Sequence, residues 1–192
     1  MSPDLAALEE RLRRLEQRLG VVEDEREIAR LIATYGPCVD AANAAGAAAL
    51  WSSDGSYDVE GWRMSSRGDV EAMVRSGGHR RLVDNGCCHF LGPAAITVHG
   101  DDAVAVCESL VVLRVDDGSP GRGSAATGKG LPKAGYVVWR AAANHFQVRR
   151  IDGRWQITAR TSRMLDGNPE AHELLMAGVE GRAPQRRTSA NG

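Results

Sequence analysis

Leu5, Leu8, Leu12, Leu15, Leu19 and Val22 recur alternately three and four residues apart, the seam spacing of a heptad repeat. Glu, Arg and Gln fill most of the positions between them. The pattern predicts a solvated helix whose single apolar stripe meets either a partner helix or the body of its own domain. Ser2 and Pro3 suit its cap and first turn. The repeat fails at Arg26, which takes the next seam position, and a second stripe opens with Ile28, Leu31, Ile32, Tyr35 and Val39 at helical spacing. Three segments are therefore expected: residues 1–21 as a heptad-patterned helix, 22–168 as one domain, and 169–192 as a polar, partly disordered tail with a short helix at "PEAHELLMAG".

Inside the domain the period changes along the chain. "AANAAGAAALW" reads as an alanine-rich helical segment, "SSDGSYDVEGWRM" as a turn and two short strands around Gly61, and "SRGDVEAMVRSGG" as a capped helix ended by glycines. Long β-rich runs follow, from "CCHFLGPAAITVHG" to "RWQITARTSRML", joined by Asp/Gly turns. Helices first and strands later indicate an α+β fold, with helices on one face of a curved antiparallel sheet. The glycine-rich stretch 116–135 contains "GSAATGKG", but Gly130 stands where a phosphate-binding loop needs Ser or Thr, so it reads as a flexible hairpin loop.

Composition narrows the function classes. Lys and Arg number 24 against 25 Asp and Glu, so no global field points toward nucleic acid or a membrane surface. The charged N-terminus and the absence of a long apolar run suggest a soluble, cytoplasmic protein. Cys38, Cys87, Cys88 and Cys107 lack paired spacing and read as reduced thiols, and the five histidines lack metal-ligand spacing. We expect no metal and no cofactor. His79, His99 and His172 sit in polar or turn-like contexts, whereas His89 in "CCHFLGP" and His145 in "AAANHFQV" lie in strand-like apolar runs, where an unpaired imidazole is costly.

Pro37 is the anomaly of the first domain helix, since an interior proline removes a backbone hydrogen bond and costs roughly 3 kcal/mol. It stands between Tyr35 and Asp40, which point about 140° apart on a straight helix. Either a kink at Pro37 turns both toward one pocket, or the helix ends there and restarts. Trp51, Tyr57, Trp139 and Phe146 could line a pocket for a flat apolar molecule, with Asn144 and Arg160 as polar candidates. Strict alternation would put Arg160 on the face of Gln156 and Thr158, as an oxyanion-stabilising or a surface arginine.

From about Glu25 to Asp166, "REIARLIATYGPCVDAAN", "LWSSDGSYDVEG", "CCHFLGPAAITV" and "VRRIDGRWQITARTSRMLDG" resemble the SnoaL-like branch of the NTF2-like superfamily. The resemblance implies a cone-shaped curved sheet packed with three helices around one apolar pocket. It implies the chemistry of scytalone dehydratase, a bile-acid dehydratase, a dehydrochlorinase and polyketide cyclases. It also implies site residues: Asp40 and His89 as a dyad, and Tyr35 five residues before the aspartate. The second acid of the bile-acid enzyme has no counterpart, with Glu108 or Ser109 near its place. The expected function is a cofactor-independent lyase or isomerase, a dehydratase-like elimination by the Asp40–His89 dyad on a small hydrophobic compound, polycyclic ones included. Alternatives are a non-catalytic small-molecule binding module, a polyketide cyclase and a dioxygenase small subunit. A homodimer or higher homo-oligomer is expected from the resemblance, with the Leu5 to Val22 seam adding contacts.

Overall fold

A computed structural model describes residues 3–115 and 135–184. The glycine-rich hairpin loop expected at 116–135 lies almost wholly outside them, as do the Ser2 cap and the end of the tail. Helix α1 (Pro3–Asp40) carries both apolar stripes in one element, running unbroken past Val22 and through Pro37. The expected boundary near residue 22 therefore coincides with no break in the helix. Of the two readings of Pro37, the restart is excluded.

After α1 come α2 (Ala44–Ala48), β1 (Trp51–Val59), β2 (Trp62–Met64), α3 (Arg67–Arg75) and α4 (Gly77–Asp84). The remaining elements are β3 (Cys87–Leu91), β4 (Ala95–His99), β5 (Asp102–Val115), β6 (Gly135–Ile151), β7 (Arg154–Met164) and α5 (Pro169–Val179). The fold is α+β, as expected. Five helices are described, and α4 is the one without a counterpart in the sequence reading, because Gly77 and Gly78 open it where that reading ended α3 at them. Ser76 makes this work: its extended backbone ends α3 and its hydroxyl accepts from the His79 N–H to cap α4.

The sheet runs β2-β1-β7-β6-β5-β3, with β4 also paired to β5. Its pairings are antiparallel except one: β1 lies parallel to β7. The antiparallel sheet expected from the sequence thus contains one parallel pairing, one strand in from the β2 edge. Bulges interrupt the β1–β7, β5–β6 and β6–β7 ladders, and each bends the sheet and re-aims side chains.

The concave face packs against α1 and α3 through Ile28, Ile32, Val39, Val70, Trp51 and Ile157, all essentially inaccessible. Each such burial is worth about 1.5–3 kcal/mol. The other face takes α5, whose Ala171 and Leu174 pack on Ala143. There Gly178 approaches β5 so closely that a Cβ would fall 2.2 Å from Val106 Cβ. Residues 169–181, read from sequence as tail, thus belong to the sheet's packing. Among the described residues no helix is long and apolar enough to cross a membrane.

Candidate active site

Asp40 is the last residue of α1 and His89 the middle of β3. Gly36, one turn earlier, lets the two elements meet, because a Cβ there would sit 2.2 Å from the His89 carbonyl oxygen. Brought this close, the His89 backbone N–H donates to Asp40 Oδ2 at 2.7 Å and its ring Nδ1 lies 2.6 Å from Oδ1. Burial raises the Asp40 pKa, but the side-chain and backbone hydrogen bonds from His89 outweigh it and hold the carboxyl below its ordinary value. An ionised carboxylate can only accept, so Nδ1 carries the proton and Nε2 of neutral His89 keeps its lone pair. Cys87 Sγ adds a weak contact to Oδ1 at 3.6 Å. Burial first, and Asp40 second, push its thiol up to about 11.

Asp40, Cys87 and His89 also form a three-ligand group with atoms within 4.8 Å of one another. The 2.6 Å Nδ1–Oδ1 separation is a hydrogen bond, shorter than the roughly 3.3 Å that tetrahedral ligands about 2.0 Å from zinc keep between themselves. The geometry fits a dyad better than a metal centre.

The opposite wall is built by register. Arg160 of β7 pairs with Phe146 of β6 on one side and Tyr57 of β1 on the other. Its guanidinium carbon lies 4.4 Å from the Tyr57 ring centroid, 5.0 Å from Phe146 and 4.3 Å from Tyr35 of α1. Asn144 Oδ1 accepts from Arg160 Nε at 3.1 Å and Nη2 at 2.7 Å, while Asn144 Nδ2 donates to Ser109 Oγ at 2.7 Å. Arg160 is 3% exposed, and its Nη1 has no hydrogen-bond partner among the described residues. A surface arginine is therefore excluded. The β6–β7 bulge explains why alternation misplaced it: Ile157 and Arg160, three apart, both reach the core, and Thr158 bonds the Gln147 carbonyl instead. Burial foremost, then the neighbouring Tyr57, raises the Tyr35 pKa against the opposing guanidinium, so the phenol stays protonated.

These walls enclose a cavity of about 360 Å³ lined by Tyr35, Tyr57, His79, His89, Ser109 and Arg160 and by apolar side chains that include Met64 and Leu110. Of the predicted site residues, Tyr35, Tyr57, His89, Trp139 and Arg160 line it, with Trp139 at its exposed rim. Asp40 reaches it through His89, so Tyr35 and Asp40 need not converge. Trp51, Asn144 and Phe146 are corrected to supports: Trp51 packs edge-on to Tyr35, and Asn144 and Phe146 hold Arg160. His79 was missed. It is buried, its Nε2 lies 2.9 Å from the Val39 carbonyl at the end of α1, and its ring lies 5.8 Å from that of His89. Its signal was Ser76 three residues earlier, a cap that places His79 in a helix. Near the absent second acid, Glu108 is exposed and Ser109 faces the cavity. A larger cleft of about 730 Å³ lies between β1, β7 and α5, where Arg163 is already engaged by Asp58 and Glu170. Chemistry therefore favours the smaller cavity.

A profile of the SnoaL-like domain matches residues 20–161. Among proteins of curated function none matches the chain. Among solved structures, an NTF2-like protein with a cystatin-like fold from Novosphingobium aromaticivorans is 36% identical, covering 84% of this chain and 94% of its own, with a TM-score of 0.72. A scytalone dehydratase-like protein from the same organism is 18% identical over 77% of this chain and 87% of its own, with a TM-score of 0.57. Hexachlorocyclohexane dehydrochlorinase LinA-type3 from Novosphingobium barchaimii is 17% identical over 77% of this chain and 90% of its own, with a TM-score of 0.59. The last two share the fold, whereas the profile match and the 36% relative carry further: the chain belongs to the SnoaL-like domain family.

Proposed function

We propose that this protein is a cofactor-independent lyase that carries out a dehydratase-like elimination on a small hydrophobic carbonyl compound, with His89 as the base. The observation that carries the reading is the 2.6 Å Nδ1–Oδ1 contact of Asp40 with His89, which lines the same cavity as Arg160. His89 Nε2 takes the proton beside the substrate carbonyl, and Asp40 stabilises the imidazolium formed. The C–H electron pair moves into an enolate, whose oxygen charge Arg160 Nη1 meets. Collapse of the enolate forms the carbon–carbon double bond and expels the hydroxyl, which leaves as water with the proton that His89 took, so the base returns to its starting form while the Tyr35 phenol hydrogen-bonds the departing oxygen. The family resemblance to dehydratase and dehydrochlorinase folds supports elimination over other uses of the same base.

A panel of β-hydroxy ketones, followed by the ultraviolet absorption of the conjugated product, tests this. His89→Ala is expected to lose most of the about 10² to 10⁴-fold that a positioned general base contributes, with ligand affinity little changed. Asp40→Asn should also slow turnover, because an amide can accept from the ring but cannot stabilise its positive charge. Affinity without any turnover in the unaltered protein would make the cavity a binding site and the chain a binding module.

A further inference from the structure

The N-terminal half of α1 carries six seam residues, Leu5 to Val22, that are each between 48% and 62% exposed. From Asp4 to Glu23 every side chain except Glu10 is exposed, Gly20 apart. The reason lies in the phase of the helix. At about 100° per residue, Ile28, Ile32, Tyr35 and Val39, which face the core, cluster within about 60° of one another. The six seam residues centre about 160° around the helix from that cluster. Because α1 is continuous, the seam points away from its own domain. Asp24 fixes this orientation from the domain side, accepting from Arg150 Nη2 at 2.5 Å and Trp155 Nε1 at 3.1 Å.

We infer that the seam is covered by the same segment of a second copy of this chain, in a parallel two-stranded coil. With Leu5, Leu12 and Leu19 at a and Leu8, Leu15 and Val22 at d, the flanking e positions are Glu9, Glu16 and Glu23, and the g positions include Arg11 and Arg18. A parallel pair brings each g residue against the e residue five places on in the other copy. Arg11 then meets Glu16 and Arg18 meets Glu23, each twice by symmetry. Only Asp4 against Glu9, at the free end, is unfavourable. An antiparallel pair sets e against e and g against g, hence Glu against Glu and Arg against Arg. The ion pairs already made within this stretch, Arg13 and Arg14 to Glu10, lie on the far side of the helix and leave the flanks unused. Arg26 at the next a position ends the seam and parts the helices where the two domains begin. The coil spans about 27 Å, some three heptads, so self-association depends on concentration.

Sedimentation velocity of the full chain over a concentration series tests the proposal. A dimer is expected, and Leu12→Lys should weaken it at least tenfold. Glu16→Arg should weaken it several-fold at low salt, and adding Arg11→Glu should restore it. These positions are exposed, so thermal unfolding of the domain should be unaltered. If Leu12→Lys does disturb the domain, the charge-swap pair decides alone. A monomer up to about 100 µM, or an oligomer indifferent to these changes, would overturn the proposal. Strengthening by Glu16→Arg would overturn the parallel arrangement, because it would relieve Glu facing Glu.

Discussion

Arg160 is the residue whose surroundings ask most for a ligand. Three aromatic rings and Asn144 surround it, no carboxylate lines its cavity among the described residues, and Nη1 is buried without a partner. A buried charge left this way is costly unless something completes it, and the oxygen of an enolate would do so only as the reaction proceeds. Arg160→Met should therefore lower kcat by about 10² to 10³, the usual loss on removing an oxyanion donor. Arg160→Lys should recover little, since an ammonium can neither fork to Asn144 Oδ1 nor stack flat against the rings. The measurement is kcat on whichever ketone responds to His89→Ala. An unchanged kcat in Arg160→Met would reduce Arg160 to a structural part. Cys107, buried in the same layer, has its thiol pushed up to about 11, by burial foremost, and brings no thiolate to this wall.

At the scale of elements, the helix α1 and strand β3 are placed by what Gly36 lacks. Gly36→Ala would drive a methyl into the His89 carbonyl, backbone against backbone, so neither side can give by a rotamer change. The expected cost is about 1–3 kcal/mol, read as a lower urea midpoint, together with slower turnover as β3 moves His89 off Asp40. Full activity and stability in that variant would show that the two elements can separate without loss. This contact also marks the limit of what was legible in the sequence. The period-3.6 stripe of Ile28, Ile32, Tyr35 and Val39 and the strands after Cys87 could be read because burial repeats locally. The Asp40–His89 pairing came through the family resemblance, since 49 residues separate the two. Nothing local encodes a bulge that moves Arg160 to the core, the parallel β1–β7 pairing, or the burial of His79 against Val39. Those depend on partners remote in the chain.

For the whole molecule, the same contacts set how stability responds to acid. Asp40 and Asp58 both sit below their ordinary pKa in the folded chain. In each case burial raises the value, but hydrogen bonds outweigh it, from His89 to Asp40 and from Arg163 and Gly61 to Asp58. A lowered folded value means that the unfolded chain binds the proton more tightly. Each carboxylate therefore stabilises the fold at pH above its unfolded value of 3.8, and this stabilisation is lost as pH falls through the folded value. Asp58 links β1 to β7 and α5 through Arg163, which also holds Glu170, whereas Asp40 links α1 to β3. Acid should thus loosen both ends of the sheet. Urea midpoints of the unaltered chain and of Asp40→Asn, compared near neutrality and again near the unfolded carboxylate value, separate the Asp40 share from the rest. The unaltered chain should lose more stability between the two conditions than Asp40→Asn, because asparagine has no proton to take up, while Asp58 contributes equally in both. Parallel losses would mean that the Asp40 carboxylate gains nothing on folding, and the charge assigned to the dyad would fall with it.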